Sequence, residues 1–168
     1  MAANFLERFS SSASFPTFTK RRFQLAAMSS FQLAAKINDS PAPTMAAMAK
    51  LSRGLFSPSD LSVFQEELLH ALDWFVHPPL GSHFLYLYGA LLDTDDADTL
   101  ENALWLVELS VCDNNFRMFS ASTVGLGAIL HELDGAAQGA QAHFAARMEQ
   151  DGEGVSVLSD DVQLCKSR

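Results

Sequence analysis

The sequence predicts an all-α protein in two units. Three observations carry that prediction. Apolar residues recur at helical spacing almost throughout, and no stretch alternates as a half-buried strand does. Serine-led starts and proline- or glycine-bearing stops punctuate the pattern at intervals suited to helices. The 168 residues are 48% hydrophobic and only 18% charged, which excludes a disordered composition. A chain of this length buries roughly 70% of its unfolded surface, enough for a real core.

In the first half, Ala3, Phe5, Leu6 and Phe9 mark a short helix, ended by Ser10 to Pro16. Lys20 to Ile37 reads as a strong helix whose apolar positions, among them Phe23, Leu25, Met28, Phe31 and Leu33, cover most of its circumference. A helix apolar nearly all round is expected to be central and enclosed. Asn38 to Pro43 breaks it, and Met45 to Leu51 forms a short helix before Gly54. Ser57-Pro58-Ser59-Asp60 is a helix start: a serine cap, a proline at the first helical position, an acid at the positive end. That helix is expected to run through Leu61, Phe64, Leu68, Leu72 and Trp74 until His77-Pro78-Pro79 stops it. The boundary between the units is placed near 77–82.

The second half restarts with a helix from Ser82 to Leu92. An acidic turn, Asp93 to Asp98, precedes a helix over Leu100 to Val111, with Asp98 and Glu101 spaced as a capping box. Phe119 to Leu133 is the next helix, closed by Gly135. Its Ala121, Ser122, Gly125, Gly127 and Ala128 make it thin enough for close packing. Ala136 to Met148 is expected to be helical, Asp151 to Val157 a loop, and Ser159-Asp160-Asp161 the start of a last helix.

Charge and motif searches narrow the chemistry. With 11 basic and 20 acidic residues the net charge is -9, which argues against binding a phosphate backbone. The longest apolar stretches, such as Phe84 to Leu92, fall well short of the ~20 residues of a membrane span. Cys112 and Cys165 suit a reducing compartment and make neither a disulfide framework nor a four-ligand zinc site. A calcium loop starting at Asp93 fails where Ala97, Asp98 and Leu104 replace the required residues. Gly125-Leu126-Gly127 lacks the third glycine of a nucleotide-binding turn and reads as helix packing. His70, His77, His83, His131 and His143 show no metal-ligand spacing. Lys20-Arg21-Arg22 reads as the solvated end of a helix. Residues 1–36 hold Arg8, Lys20, Arg21, Arg22 and Lys36 against Glu7 alone, a composition that also suits a mitochondrial transit peptide. No nucleophile, base and orienter assemble, so the reading is of a protein that is not an enzyme and uses no metal or cofactor.

Four stretches of the first half, taken together, resemble a cyclin: Asn4 to Phe9, Phe23 to Met28 continuing through Leu33 to Lys36, Glu67 to Trp74, and His77-Pro78-Pro79. They are similar to the second, third and fifth helices of the first cyclin box and its linker. Ala103 to Ser110, Ser120 to Leu130 and Val162 to Cys165 resemble the second, third and last helices of the C-terminal cyclin fold. The resemblance implies tandem cyclin-like five-helix bundles, both incomplete: 1–77 as a cyclin box without its first helix, and 78–168 as a C-terminal cyclin-like fold. It accounts for the acid-poor N-terminus as helix rather than transit peptide. Two departures stand out. Asn38-Asp39 replaces the family's paired glutamates, and Gln65 stands where the family carries a kinase-contacting glutamate.

What the resemblance implies is a regulatory subunit that binds and activates a cyclin-dependent serine/threonine kinase in cell-cycle control. No nucleic acid, membrane or small-molecule ligand is expected, and the location is nucleus and/or cytoplasm. The alternative is a cyclin-fold adaptor that activates no kinase. By resemblance Lys36 donates to backbone carbonyls of a kinase helix, and a lysine in so apolar a run is expected to be buried and in need of that partner. Gln65 takes the acceptor's place beside it. Leu33 and Ile37 share one helix face, and Gln65, Leu69 and Val76 are expected to share another. The four apolar residues are kinase-binding by resemblance, with ordinary core packing the competing reading. Gln24 is a remnant of the substrate-docking groove by the same resemblance.

Overall fold

A computed structural model of the chain describes residues 1–12, 19–38, 41–92, 97–135, 139–151 and 159–167. Among them no strand occurs, and the protein is all-α. The helices are α1 (Ala2–Ser11), α2 (Lys20–Asn38), α3 (Met45–Leu51), α4 (Pro58–Ala71), α5 (Gly81–Gly89), α6 (Ala97–Ser110), α7 (Ala121–Gly135), α8 (Ala140–Asp151) and α9 (Asp160–Lys166), with a 3₁₀ turn at Asn114–Met118. They form two compact units, Met1–Pro78 and Pro79–Arg168.

In the first unit α2 touches α1, α3 and α4. Phe5 and Phe9 of α1, Leu33 of α2, and Phe64 and Leu68 of α4 make its main core. Phe9 and Phe64 meet edge-on, with ring centroids 5.3 Å apart. Met48, Phe56 and Leu61 form a smaller cluster under α3. The fully enclosed α2 expected from its composition is not what forms. Its buried residues are Ala26, Ser29, Ser30, Gln32, Leu33, Ala34 and Ala35, whereas Phe23 and Phe31 are 37% and 51% exposed. Small side chains let neighbouring helices approach closely, and the aromatic positions fall on the open side.

Both ends of α4 have identifiable causes. Ser57 Oγ accepts from the Asp60 N–H at 3.0 Å, and the Asp60 carboxylate accepts from the Ser57 N–H at 2.9 Å, a reciprocal capping box. The far end comes before the prolines, and Trp74 is not helical. Asp73 and Trp74 take left-handed φ values of 51° and 58°, which costs non-glycine residues energy. Arg8 holds that turn: its guanidinium donates to the Leu72 carbonyl at 2.9 Å and the Phe75 carbonyl at 2.7 Å, filling acceptors the helix end leaves open. Trp74 is left 60% exposed.

The second unit is built around α7, which touches α5, α6, α8 and α9. Leu85, Leu126, Ile129, Leu130, Phe144 and Met148 are large side chains buried in its core. Glycine is required at the α5–α7 crossing: a Cβ on Gly125 would lie 2.8 Å from the Gly81 carbonyl oxygen and 3.1 Å from the Leu85 nitrogen. On the other side, a Cβ on Gly127 would lie 3.2 Å from Cys165 Sγ. Gly125-Leu126-Gly127 is thus a helix-packing device. Tyr88 of α5 bonds Ser122 of α7, and burial raises its phenol's pKa.

Several second-half boundaries differ from expectation. Asp98 lies inside the first turn of α6 rather than at its cap. Phe119 closes the 3₁₀ turn, so α7 starts at Ala121, and Gly135 is its last residue rather than the one beyond it. Helix α5 stops at Gly89. Most of the acidic turn (93–96), the start expected for α8 (136–138) and the loop over 152–158 lie outside the described residues.

Candidate functional site

The site residues singled out in the first unit come from the C-terminal half of α2 and from α4 and its exit. Lys36 Nζ donates to Gln65 Oε1 at 2.8 Å. Gln65 Nε2 in turn donates to Gln32 Oε1. Gln32 Nε2 donates to the Pro43 carbonyl oxygen at 3.0 Å, beyond the end of α2. One ammonium and two amides thus form a directional chain from the surface into the core, in which each donor meets an acceptor. Lys36 is exposed, Gln65 is 7% exposed and Gln32 is 2% exposed.

This arrangement corrects the expectation of a buried lysine waiting for an outside partner. Lys36 is exposed as a residue, and its ammonium, part-buried, already has a partner in Gln65. Gln65 occupies one of its three protons and leaves two for a visitor. Gln32 escaped the sequence reading. Its signal was its place four residues before Lys36, on the same helix face, as a polar residue inside an apolar run. A buried amide needs partners, and position 65 supplies one.

The four apolar residues predicted for the site pack in the main core of the first unit. Leu33 is buried in the main core, and Ile37, Leu69 and Val76 are half-buried against it. Val76 does not share a helix face with Gln65 and Leu69, because α4 ends at Ala71; it reaches the same cluster through the left-handed turn. Gln24 does not join them. It is exposed on α2, twelve residues before Lys36, or about 18 Å along the helix axis.

The basic triplet is more than a solvated end. The Arg21 guanidinium lies 5.0 Å from the Phe56 ring centroid, and that of Arg22 lies 5.4 Å from Phe64 while pairing with Glu67. Such stacking gains about 0.5–1 kcal/mol at exposed sites. These cations help to seat the start of α2 on α4 and on the segment that precedes it. Among the described residues no group of three His, Cys, Asp or Glu side chains could hold a metal ion. No described helix is long and apolar enough to cross a membrane.

An exposed lysine whose ammonium is fixed by a neutral amide keeps protons for further hydrogen bonds. No curated protein matches the chain. Residues 1–77 match the family described as Cyclin, N-terminal domain. Those residues hold α1 to α4 and the whole Lys36 arrangement, and residues 78–168 fall outside the match. Over residues 1–77, just under half of the chain, the sequence is thus similar to the cyclin N-terminal domain.

Proposed function

We propose that the chain is a cyclin-like regulatory subunit that binds a cyclin-dependent serine/threonine kinase and activates it in cell-cycle control. The observation that carries this reading is Lys36, exposed and bonded to Gln65, on α2 and α4, whose Leu33, Ile37 and Leu69 pack in one cluster with Val76. Its two remaining protons would meet backbone carbonyls of the kinase helix that carries the glutamate of the lysine–glutamate pair. Holding that helix inward lets the kinase lysine place the ATP phosphates. The apolar neighbours would take an aliphatic side chain of the same helix. On this reading residues 78–168 form the C-terminal cyclin-like fold, and the protein works in the nucleus and/or cytoplasm.

A second reading, a cyclin-fold adaptor that activates no kinase, is favoured by one observation. Both polar atoms of Gln65 are engaged inside the chain, so it offers a partner less than a free carboxylate would. The test is titration of the full chain against a panel of cyclin-dependent kinases, with phosphorylation of a model substrate as a second readout. Binding with activation, lost in Lys36→Ala, supports the regulatory subunit. Binding without activation supports the adaptor. Absence of binding across the panel removes the kinase reading.

A further inference from the structure

The second unit contains a groove that plays no part in the Lys36 arrangement. It lies between α6, α7 and α9, encloses about 300 Å³, and is walled by Leu106, Leu109, Phe116, Val124, Gly127 and Cys165. That volume is at the small end of ligand cavities. Gly127 offers no side chain to fill it. Burial pushes the Cys165 thiol up to about 11, so the thiol is neutral at physiological pH. The apolar surface continues outward, with Leu109 48% exposed and Leu164 of α9 42% exposed.

Charge separates the two halves of the chain sharply. Residues 1–78 hold 6 acidic and 7 basic side chains; residues 79–168 hold 14 acidic and 4 basic. The acidity reaches the groove. Asp113 lines it, and its Oδ1 accepts the Asn115 N–H at 2.9 Å, leaving the carboxylate's other oxygen for a visitor. Glu108 is exposed beside Leu109. The C-terminal end of α6, with its negative dipole, runs into the same wall. Lys166 and His131 also line the groove; the Lys166 ammonium is paired with Asp134, and the nearby Arg117 donates to the neutral amide of Asn114 and keeps its charge.

We propose that this groove docks a short cationic segment of a partner protein, which inserts one large apolar side chain between α6, α7 and α9 and sets an arginine or lysine against Asp113. The surplus of 10 negative charges over residues 79–168 speaks against the other occupants. A second copy of the unit, an anionic membrane and a nucleic acid would each bring like charge. At physiological ionic strength screening acts over about 8 Å, so Asp113 and Glu108 set affinity and the remaining acids steer approach. The inference does not depend on the kinase reading.

A displayed library of random twelve-residue peptides, panned on the full chain, tests it. The expected result is enrichment of one leucine, methionine or aromatic residue beside arginine or lysine. An enriched peptide, labelled and titrated by fluorescence anisotropy, should lose about tenfold in affinity with Leu109→Ser, a loss typical of one apolar anchor. Asp113→Asn keeps an acceptor for the Asn115 N–H while removing the charge. It should weaken binding about three- to tenfold and flatten the salt dependence. Circular dichroism checks that both groove variants stay folded, which the exposure of Leu109 and Asp113 favours. No enrichment, enrichment of acidic or uncharged peptides, or titrations indifferent to both variants would overturn the proposal. So would a dimer in sedimentation that Leu109→Ser dissociates, since the groove would then belong to a second copy.

Discussion

The two units solve one problem, the crowding of a central helix, by different means. Helix α2 presents alanine and serine to its neighbours and ties itself down with polar side chains: Gln32 to Pro43 and Gln65, Arg22 to Glu67. Helix α7 removes side chains altogether where backbones meet, at Gly125 against Gly81 and Leu85. The glycine solution gives a tight contact with no adjustable parts. The polar solution leaves donors and acceptors that can be turned outward. The first unit accordingly holds a surface suited to hydrogen-bonded recognition, and the second an apolar groove in an acidic setting.

The sharpest way to break this contrast is to add one side chain at each crossing. Gly125→Leu should cost more than 3 kcal/mol, because even its Cβ would press on backbone atoms that cannot yield. Ala26→Leu, at a fully buried position of α2, should cost about 1–3 kcal/mol, since side chains there can move. Denaturant titration measures both, and hydrogen exchange shows which unit loses protection. Equal costs would mean that α7 is no more rigidly packed than α2.

Next in size is the amide chain. Gln32→Leu removes the acceptor of Gln65 Nε2 and the donor to Pro43, leaving buried polar groups unmet at a cost of about 1–3 kcal/mol. Lys36→Ala should cost far less stability, because the lysine is exposed, yet lower kinase affinity by up to about a hundredfold on the proposed reading. Isothermal titration and thermal melts on the same two variants separate the roles. If Gln32→Leu leaves the melt unchanged, the network is not structural.

The same geometry revises an expectation read from sequence alone. With a charged acceptor beside Lys36, Gln65→Glu is expected to strengthen kinase binding by about 1 kcal/mol. The structure shows that Gln65 Nε2 faces Gln32 Oε1, where a carboxylate would set oxygen against oxygen. Gln32 could answer only by turning its amide and giving up Pro43. The two effects are of similar size, so Gln65→Glu should leave kinase affinity within about twofold of wild type, with a double-mutant coupling to Gln32→Leu of about 1 kcal/mol. A severalfold gain in the single variant would restore the simpler view.

How much of this was legible in the sequence depends on the distance over which each feature is decided. The α4 start was readable in full, because Ser57, Pro58 and Asp60 act on one another within four residues. The packing role of Gly125 and Gly127 was readable because no side chain there leaves few other uses. The exit of α4 was not. The left-handed turn at Asp73 and Trp74 is held by Arg8, 64 residues from Leu72, and no local pattern announces that bond. The exposure of Phe23 and Phe31 follows from which faces of α2 its neighbours cover, something periodicity cannot supply. Lys36 and Gln65 were named through resemblance, and that they meet across 29 residues emerged only from the fold.

The smallest expected effect contrasts the pH responses of the units. In the first, hydrogen bonds from the Ser57 backbone and hydroxyl hold the Asp60 carboxyl below its ordinary value of 3.8. Its stabilisation is therefore present above that value and lost as the pH falls through the lower, folded one. In the second, burial raises the Cys165 thiol from 9.0 to about 11. Below pH 9 the thiol is protonated in both folded and unfolded chains and adds no pH dependence. Between 9 and about 11 the unfolded chain releases its proton while the folded chain retains it, so stability falls as the pH rises. Tyr88 acts in the same direction, so wild type alone cannot apportion the loss. Cys165→Ala removes the thiol and keeps Tyr88. At neutral pH the variant should be less stable by about 1 kcal/mol from lost packing beside Gly127. That deficit should shrink as urea titrations are repeated from pH 8 towards 11, because only in wild type does the unfolded chain then gain from releasing a thiol proton that the folded chain keeps. A deficit constant across that range would show that Cys165 is solvated enough to ionise freely, and that the wall of the groove it forms is open to water.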